Sequence, residues 1–187
     1  SPDNRSVTLK EVALSSLHQM NQHQIMATAS NFSTVSPPPT AAQFAEITVD
    51  TQSGEISVEC LFMVVDCGRV INPITAAGQV EGGMAQALGF SLTEEMLFDQ
   101  DGQPLNSNLA KYRIPRAAKM PAMDVIFVQT DEPSGPFGAK SVAEISIDGV
   151  APAMASAIHD ARGIWMRELP YTQERVRKAL QNFNEKK

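Results

Sequence analysis

The chain has 187 residues, of which 43% are hydrophobic and 19% charged, with a formal net charge of −6. That length suits one domain, or a compact pair of lobes, around a real core. The negative balance argues against non-specific binding to nucleic acid or an acidic membrane, and no apolar run approaches the roughly 18 residues of a membrane helix.

The opening residues are polar, lack the layout of a signal peptide and do not begin with Met, a start expected of one piece of a longer polypeptide. Thr8-Leu9-Lys10-Glu11 reads as a capping box, and Val12, Leu14, Leu17 and Met20 continue at approximately helical spacing to about Asn21. Pro37, Pro38 and Pro39 fit neither a helix interior nor a central strand, so they predict a rigid extended connector. Residues 1–40 are therefore expected to form a helix and connector, and 41–187 the main domain.

From Phe44 to Val65 the pattern predicts a β-hairpin. Phe44, Glu46, Thr48 and Asp50 alternate with Ala45, Ile47 and Val49, and Asp50 to Gly54 supplies turn chemistry. The run Cys60-Leu61-Phe62-Met63-Val64-Val65 reads as a buried strand. Asn72 can cap a helix with Pro73 in its first position, running from Ile74 to Leu88. Gly78, Gly82 and Gly83 interrupt it. Each costs roughly 1 kcal/mol against Ala in a helix interior, which predicts a close approach there by another backbone or by a ligand.

Leu92–Phe98 is expected as a strand with a turn at Asp99–Gly102, and Met123–Thr130 as another. Pro115 and Pro121 make the stretch between them a loop. A helix fits from Val150 to Ala161, with Asp148 as candidate cap and Gly163 as its stop, and Thr172 caps a last helix. Strands and helices mix without strict βαβ alternation, so the fold class expected is α+β, a mixed or antiparallel sheet with packed helices.

Cys60 and Cys67 match no redox or zinc spacing. In one strand they would point to opposite faces, more than roughly 20 Å apart. Both read as reduced thiols of a cytoplasmic protein. His18, His23 and His159 do not have the spacing of a helical metal pair, and no metal-ligating residue is assigned. Trp165 is expected in core packing.

Two small-residue loops remain, around Gly78–Gly83 and Gly135–Glu144, with Gln79, Glu81, Gln86, Lys140, Ser141 and Glu144 as polar members. Backbone amides together with a Gln and a Ser can hold a polar group. Glu144 is a functional carboxylate or one favoured at a helix entry, and Asp148 could line the same site. Lys140 steadies its loop or meets a ligand oxygen, Arg113 meets a phosphate or pairs on the surface, and Asp66 and Arg69 order a turn.

The ordered series VDCGRVINPITAAGQVEGGMAQALGF, KYRIPRA, PFGAKSVAE and APAMASAIHDARG resembles the C-terminal part of the molybdenum-binding subunit of the xanthine dehydrogenase/aldehyde oxidase family. The Ala139–Glu144 form is similar to bacterial purine-type members. The resemblance implies an enzyme with molybdenum on a molybdopterin, in plain or cytosine-dinucleotide form, that hydroxylates a heterocycle or aldehyde with oxygen from water.

It also implies roles for particular residues. The family's Gly-x-Lys-Gly-x-Gly-Glu loop corresponds to Gly138–Glu144, which makes Glu144 the general base, while Ser141 and Ala143 replace two glycines. Gln79 matches the glutamine that hydrogen-bonds the pterin, and Gly78, Gly82 and Gly83 let backbone lie against it. Lys140, Ser141, Val142 and Ala143 complete the expected cofactor wall. The implied partners are the remaining molybdenum-domain segment, an FAD subunit and a 2Fe-2S subunit. The chain alone is expected to be inactive, and a non-catalytic cofactor-binding or assembly module is the alternative.

Overall fold

The computed structural model describes residues 6–30 and 32–185. It divides into two units, Ser1–Thr34 and Val35–Lys187. In the first, α1 (Leu9–His18) begins as a complete capping box. The Glu11 N–H donates to Thr8 Oγ1, and the Thr8 N–H donates to Glu11 Oε2 at 2.7 Å. No residue of this helix is buried.

The second unit is built on a three-stranded sheet of order β1-β2-β3. β1 (Thr40–Val49) pairs antiparallel with β2 (Ile56–Asp66), setting Phe44 opposite Phe62, with a bulge between Glu46 and Ile47. Asp50 Oδ1 accepts the N–H groups of Gln52 and Ser53 in the turn. Gly54 closes it at φ +79°, a left-handed conformation that side chains rarely adopt. β3 (Ala122–Phe127) joins β2 in parallel, with Val64 opposite Ile126.

Helices α2 (Pro73–Leu92), α3 (Ile145–Asp148), α4 (Val150–Arg162) and α5 (Gln173–Asn184) follow. Asn72 Oδ1 accepts the N–H groups of Ile74 and Thr75 and so starts α2. Val80, Met84 and Leu88 recur every four residues, as do Val150, Met154 and Ile158, giving each helix one apolar stripe. These stripes bury Leu61, Met63 and Val65 of β2, together with Val176 and Leu180 of α5. Each such side chain stabilises the fold by about 1.5–3 kcal/mol. α4 ends at Gly163, φ +75°, and Thr172 Oγ1 caps α5. The architecture is α+β, with helices packed on a small mixed sheet.

Three sequence expectations fail. Leu92–Phe98 forms no strand: α2 continues to Leu92, and only Phe98 and Pro104 make an isolated bridge. The Asn106 side chain takes the Leu97 N–H and donates to the Glu95 carbonyl, satisfying that backbone locally instead of through a ladder. Asp148 does not cap α4. It ends α3, and Gly149 holds the cap position without a side-chain bond. Trp165 is 53% exposed rather than in the core, and stacks on His159 with centroids 4.2 Å apart.

Candidate functional site

The loop that carries Glu144 is tied to the end of β2. The Lys140 N–H donates to the Cys67 carbonyl at 2.7 Å, and the Arg69 N–H to the Gly138 carbonyl at 2.8 Å. Gly68, at φ +70°, is obligatory: a Cβ there would strike the Gly138 carbonyl. Asp66 adds a side-chain tie. Its Oδ1 accepts the Gly68 N–H at 2.8 Å and the Thr130 hydroxyl at 2.7 Å, and its Oδ2 pairs with Lys140 Nζ at 2.8 Å.

The Lys140 hydrogen bond, followed by those from Thr130 and Gly68, holds the Asp66 carboxyl down to about 2. The Lys140 side chain is only 10% exposed, so its ammonium steadies the loop. Burial pushes the neighbouring Cys67 thiol up.

Beyond Lys140 the loop turns, with the Ala143 N–H donating to Ser141 Oγ at 3.3 Å. The N–H groups of Ser141 and Val142 have no hydrogen-bond partner among the described residues. Glu144 is exposed at the N-cap of α3 and makes no side-chain cap bond. α2 lies alongside. Gln79 Nε2 donates to the Ala143 carbonyl at 3.4 Å, at the long end of hydrogen-bond geometry.

The three α2 glycines do different things. A Cβ at Gly83 would collide with the Ser146 side chain, so this glycine lets α3 close onto α2 and is buried. Cβ atoms at Gly78 and Gly82 would meet open space, and both residues are exposed beside Gln79. The fold thus brings Gly78, Gln79 and Gly82 next to Ser141, Val142, Ala143 and Glu144 on one open face, with Lys140 anchored behind. That face offers free amides, a carboxamide, a carboxylate and a glycine cradle that side chains would fill. The free N–H groups and the Gln79 carboxamide suit the polar edge of a flat pterin.

Two clefts of about 1080 and 920 Å³ lie elsewhere. One runs beside α5, and the other lies between the start of β2, the end of α2 and residues 109–120. Both include Arg113 and neither includes Gln79, Lys140 or Glu144. Among the described residues no three His, Cys, Asp or Glu side chains converge as a metal site.

Sequence reasoning missed the Asp66–Lys140 link and the Gly83–Ser146 contact. The first had a readable signal in Asp66-Cys67-Gly68, an Asx turn directly after a strand.

Residues 1–121 match the family model described as the molybdopterin cofactor-binding domain. With this match and the relatives below, the chain belongs to the molybdenum-binding part of the xanthine dehydrogenase/aldehyde oxidase family. It is 43% identical over 146 residues to the probable hypoxanthine oxidase XdhD of Escherichia coli (strain K12), covering 78% of this chain and 15% of that protein. It is 33% identical over 177 residues to the putative xanthine dehydrogenase molybdenum-binding subunit XdhA of the same organism, covering 94% of this chain and 24% of the relative. The solved carbon monoxide dehydrogenase from Oligotropha carboxidovorans superposes with a TM-score of 0.71 at 27% identity, over 80% of this chain and 19% of that one. The chain therefore spans a quarter or less of these relatives. The family-model match ends before the loop of Gly138–Glu144.

Proposed function

We propose that residues 41–187 supply one wall of the active site of a molybdenum hydroxylase that oxidises a purine or related heterocycle with water as the oxygen source. The observation that carries this reading is the meeting of Gln79 with the loop that ends in Glu144. When bound, the molybdopterin cofactor, plain or as the cytosine dinucleotide, supplies the two-electron redox chemistry. The chain's own residues supply position and proton handling. Gln79 and the amides of Ser141 and Val142 would hold polar edges of the pterin, and Gly78 and Gly82 would let it approach the helix. Glu144 is the general base, its carboxylate taking the proton from the oxygen nucleophile. Lys140 acts through Asp66, fixing the loop that aims Glu144.

The substrate class rests on the similarity to XdhD, a probable hypoxanthine oxidase, and XdhA, a putative xanthine dehydrogenase subunit. The remaining walls belong to the rest of a molybdenum-binding subunit, with FAD and 2Fe-2S clusters on partner subunits in the cytoplasm. One observation favours the alternative, a cofactor-binding or assembly module: Ser141 Oγ takes up the Ala143 N–H, an amide that would otherwise face the ligand. The test is purine-dependent dye reduction by the purified chain, with and without molybdopterin. No turnover is expected in either case, and robust turnover by the chain alone refutes the partial-site reading.

A further inference from the structure

The sheet has a second apolar face. Leu61, Met63 and Val65 of β2 are buried on the inner side; by strand alternation Cys60, Phe62 and Val64 point the other way. On that outer side Phe44 stacks on Phe62, with centroids 4.7 Å apart and planes 11° off parallel. The next row sets Ala42, Val64 and Ile126 side by side, and Val128 extends it past the end of β3. Phe44 is 47% exposed, and Ile126 and Val128 are each 49% exposed. The solvent face of an antiparallel sheet is normally polar, whereas all-parallel sheets are normally covered on both sides. β2 carries a parallel pair and an unbroken apolar run, the pattern of a strand buried on both faces.

We infer that this outer sheet face is the surface on which the rest of the molybdenum-binding subunit packs. The inference rests on the proposed function and names where the missing walls attach. Three observations select that occupant. The chain spans only 15% of XdhD and 24% of XdhA, so most of a whole subunit's surface lies outside it. The apolar rows run directly into Asp66, on the same face of β2 and bonded to Lys140 of the candidate site, so a segment seated here is continuous with that site. Glu46 and Asp124 flank the apolar rows with no ion pair among the described residues, which calls for a basic rim on the partner. A second copy, with the same carboxylates and a net charge of −6, would oppose like charges.

Cys60 lies on this face and Cys67 is buried, so one thiol reports on it. The experiment compares Cys60 alkylation by iodoacetamide in the lone chain and in full-length E. coli XdhD carrying this chain in place of its matching segment. We expect at least ten-fold slower alkylation in the molybdenum-loaded chimera. F62K or I126K should return the rate toward that of the lone chain or prevent soluble assembly, while leaving the lone chain folded. Sedimentation of the lone chain should show a monomer. Alkylation at the lone-chain rate in the loaded chimera overturns the inference, and so does a lone-chain dimer dispersed by F62K. Protection of Cys60 in a chimera without turnover keeps this docking face and counts only against the catalytic reading.

Discussion

The side-chain amide of Gln79, on the second turn of α2, donates to the carbonyl of Ala143, the residue before Glu144, across 3.4 Å and 64 positions of sequence. A hydrogen bond of this kind contributes only about 0.5–1.5 kcal/mol, and Gln79 is exposed. Q79A should therefore move the lone chain's melting temperature by no more than a few degrees. In the XdhD chimera the proposed contact of this amide with the pterin predicts that the same change lowers molybdenum content. Metal analysis beside thermal unfolding separates the two effects.

Gly82 and Gly83 are adjacent and predict opposite outcomes. Open space lies where a Cβ on Gly82 would sit, so G82A should stabilise the lone chain by about 0.5–1 kcal/mol through helix propensity. G83A drives a methyl into Ser146 and should destabilise by about 1–3 kcal/mol, the usual range for overpacking. Urea denaturation of the two variants checks this pair. In the chimera, G82L should reduce molybdenum content by filling the cradle.

This division also shows what the sequence could and could not tell. Three glycines in one helix announce a close approach, and the sequence cannot say which of them meets protein and which faces open space, since that depends on Ser146 of α3 arriving from 63 residues beyond Gly83. The Thr8–Glu11 capping box, the Asn72 and Thr172 caps, the Asp50–Gly54 turn and the Gly163 stop were legible because each is settled within a few residues. The Leu92–Phe98 segment had strand composition but no partner strand, and Asn106, eight residues on, satisfied its backbone instead. The Ser141 and Ala143 departures were legible as residues, but the hydrogen bond between them was not. Trp165 was misjudged because its stacking partner, His159, sits across the Gly163 reversal.

Asp66 gives a pH signature. Its folded value of about 2 lies below the ordinary 3.8, so its contribution is fully present above about pH 4 and is lost as pH falls through 2. Because the carboxylate still meets solvent, its weight is roughly 1 kcal/mol. The stability difference between wild type and D66N, followed by urea titration, should be largest near neutral pH and shrink steadily from pH 4 to pH 2. A difference that is constant across that window contradicts the assignment.

Arg175 joins α5 to the segment after α2. Its guanidinium meets Glu95 at 2.8 and 3.3 Å, Glu168 at 3.2 Å, and the carbonyls of Leu169 and Pro170 at 3.1 Å. Lysine cannot reproduce that fork. R175K should therefore lose most of what R175A loses, about 1–2 kcal/mol for a partly exposed network, as read by thermal unfolding.

The most direct test of the catalytic account is E144Q in the XdhD chimera, assayed for hypoxanthine turnover beside molybdenum content. Gln keeps the size of the side chain and removes the carboxylate. Metal content should stay unchanged while the rate falls by about 10²–10⁴. Undiminished turnover by the fully loaded E144Q enzyme would contradict the catalytic account and leave Glu144 a helix-entry carboxylate.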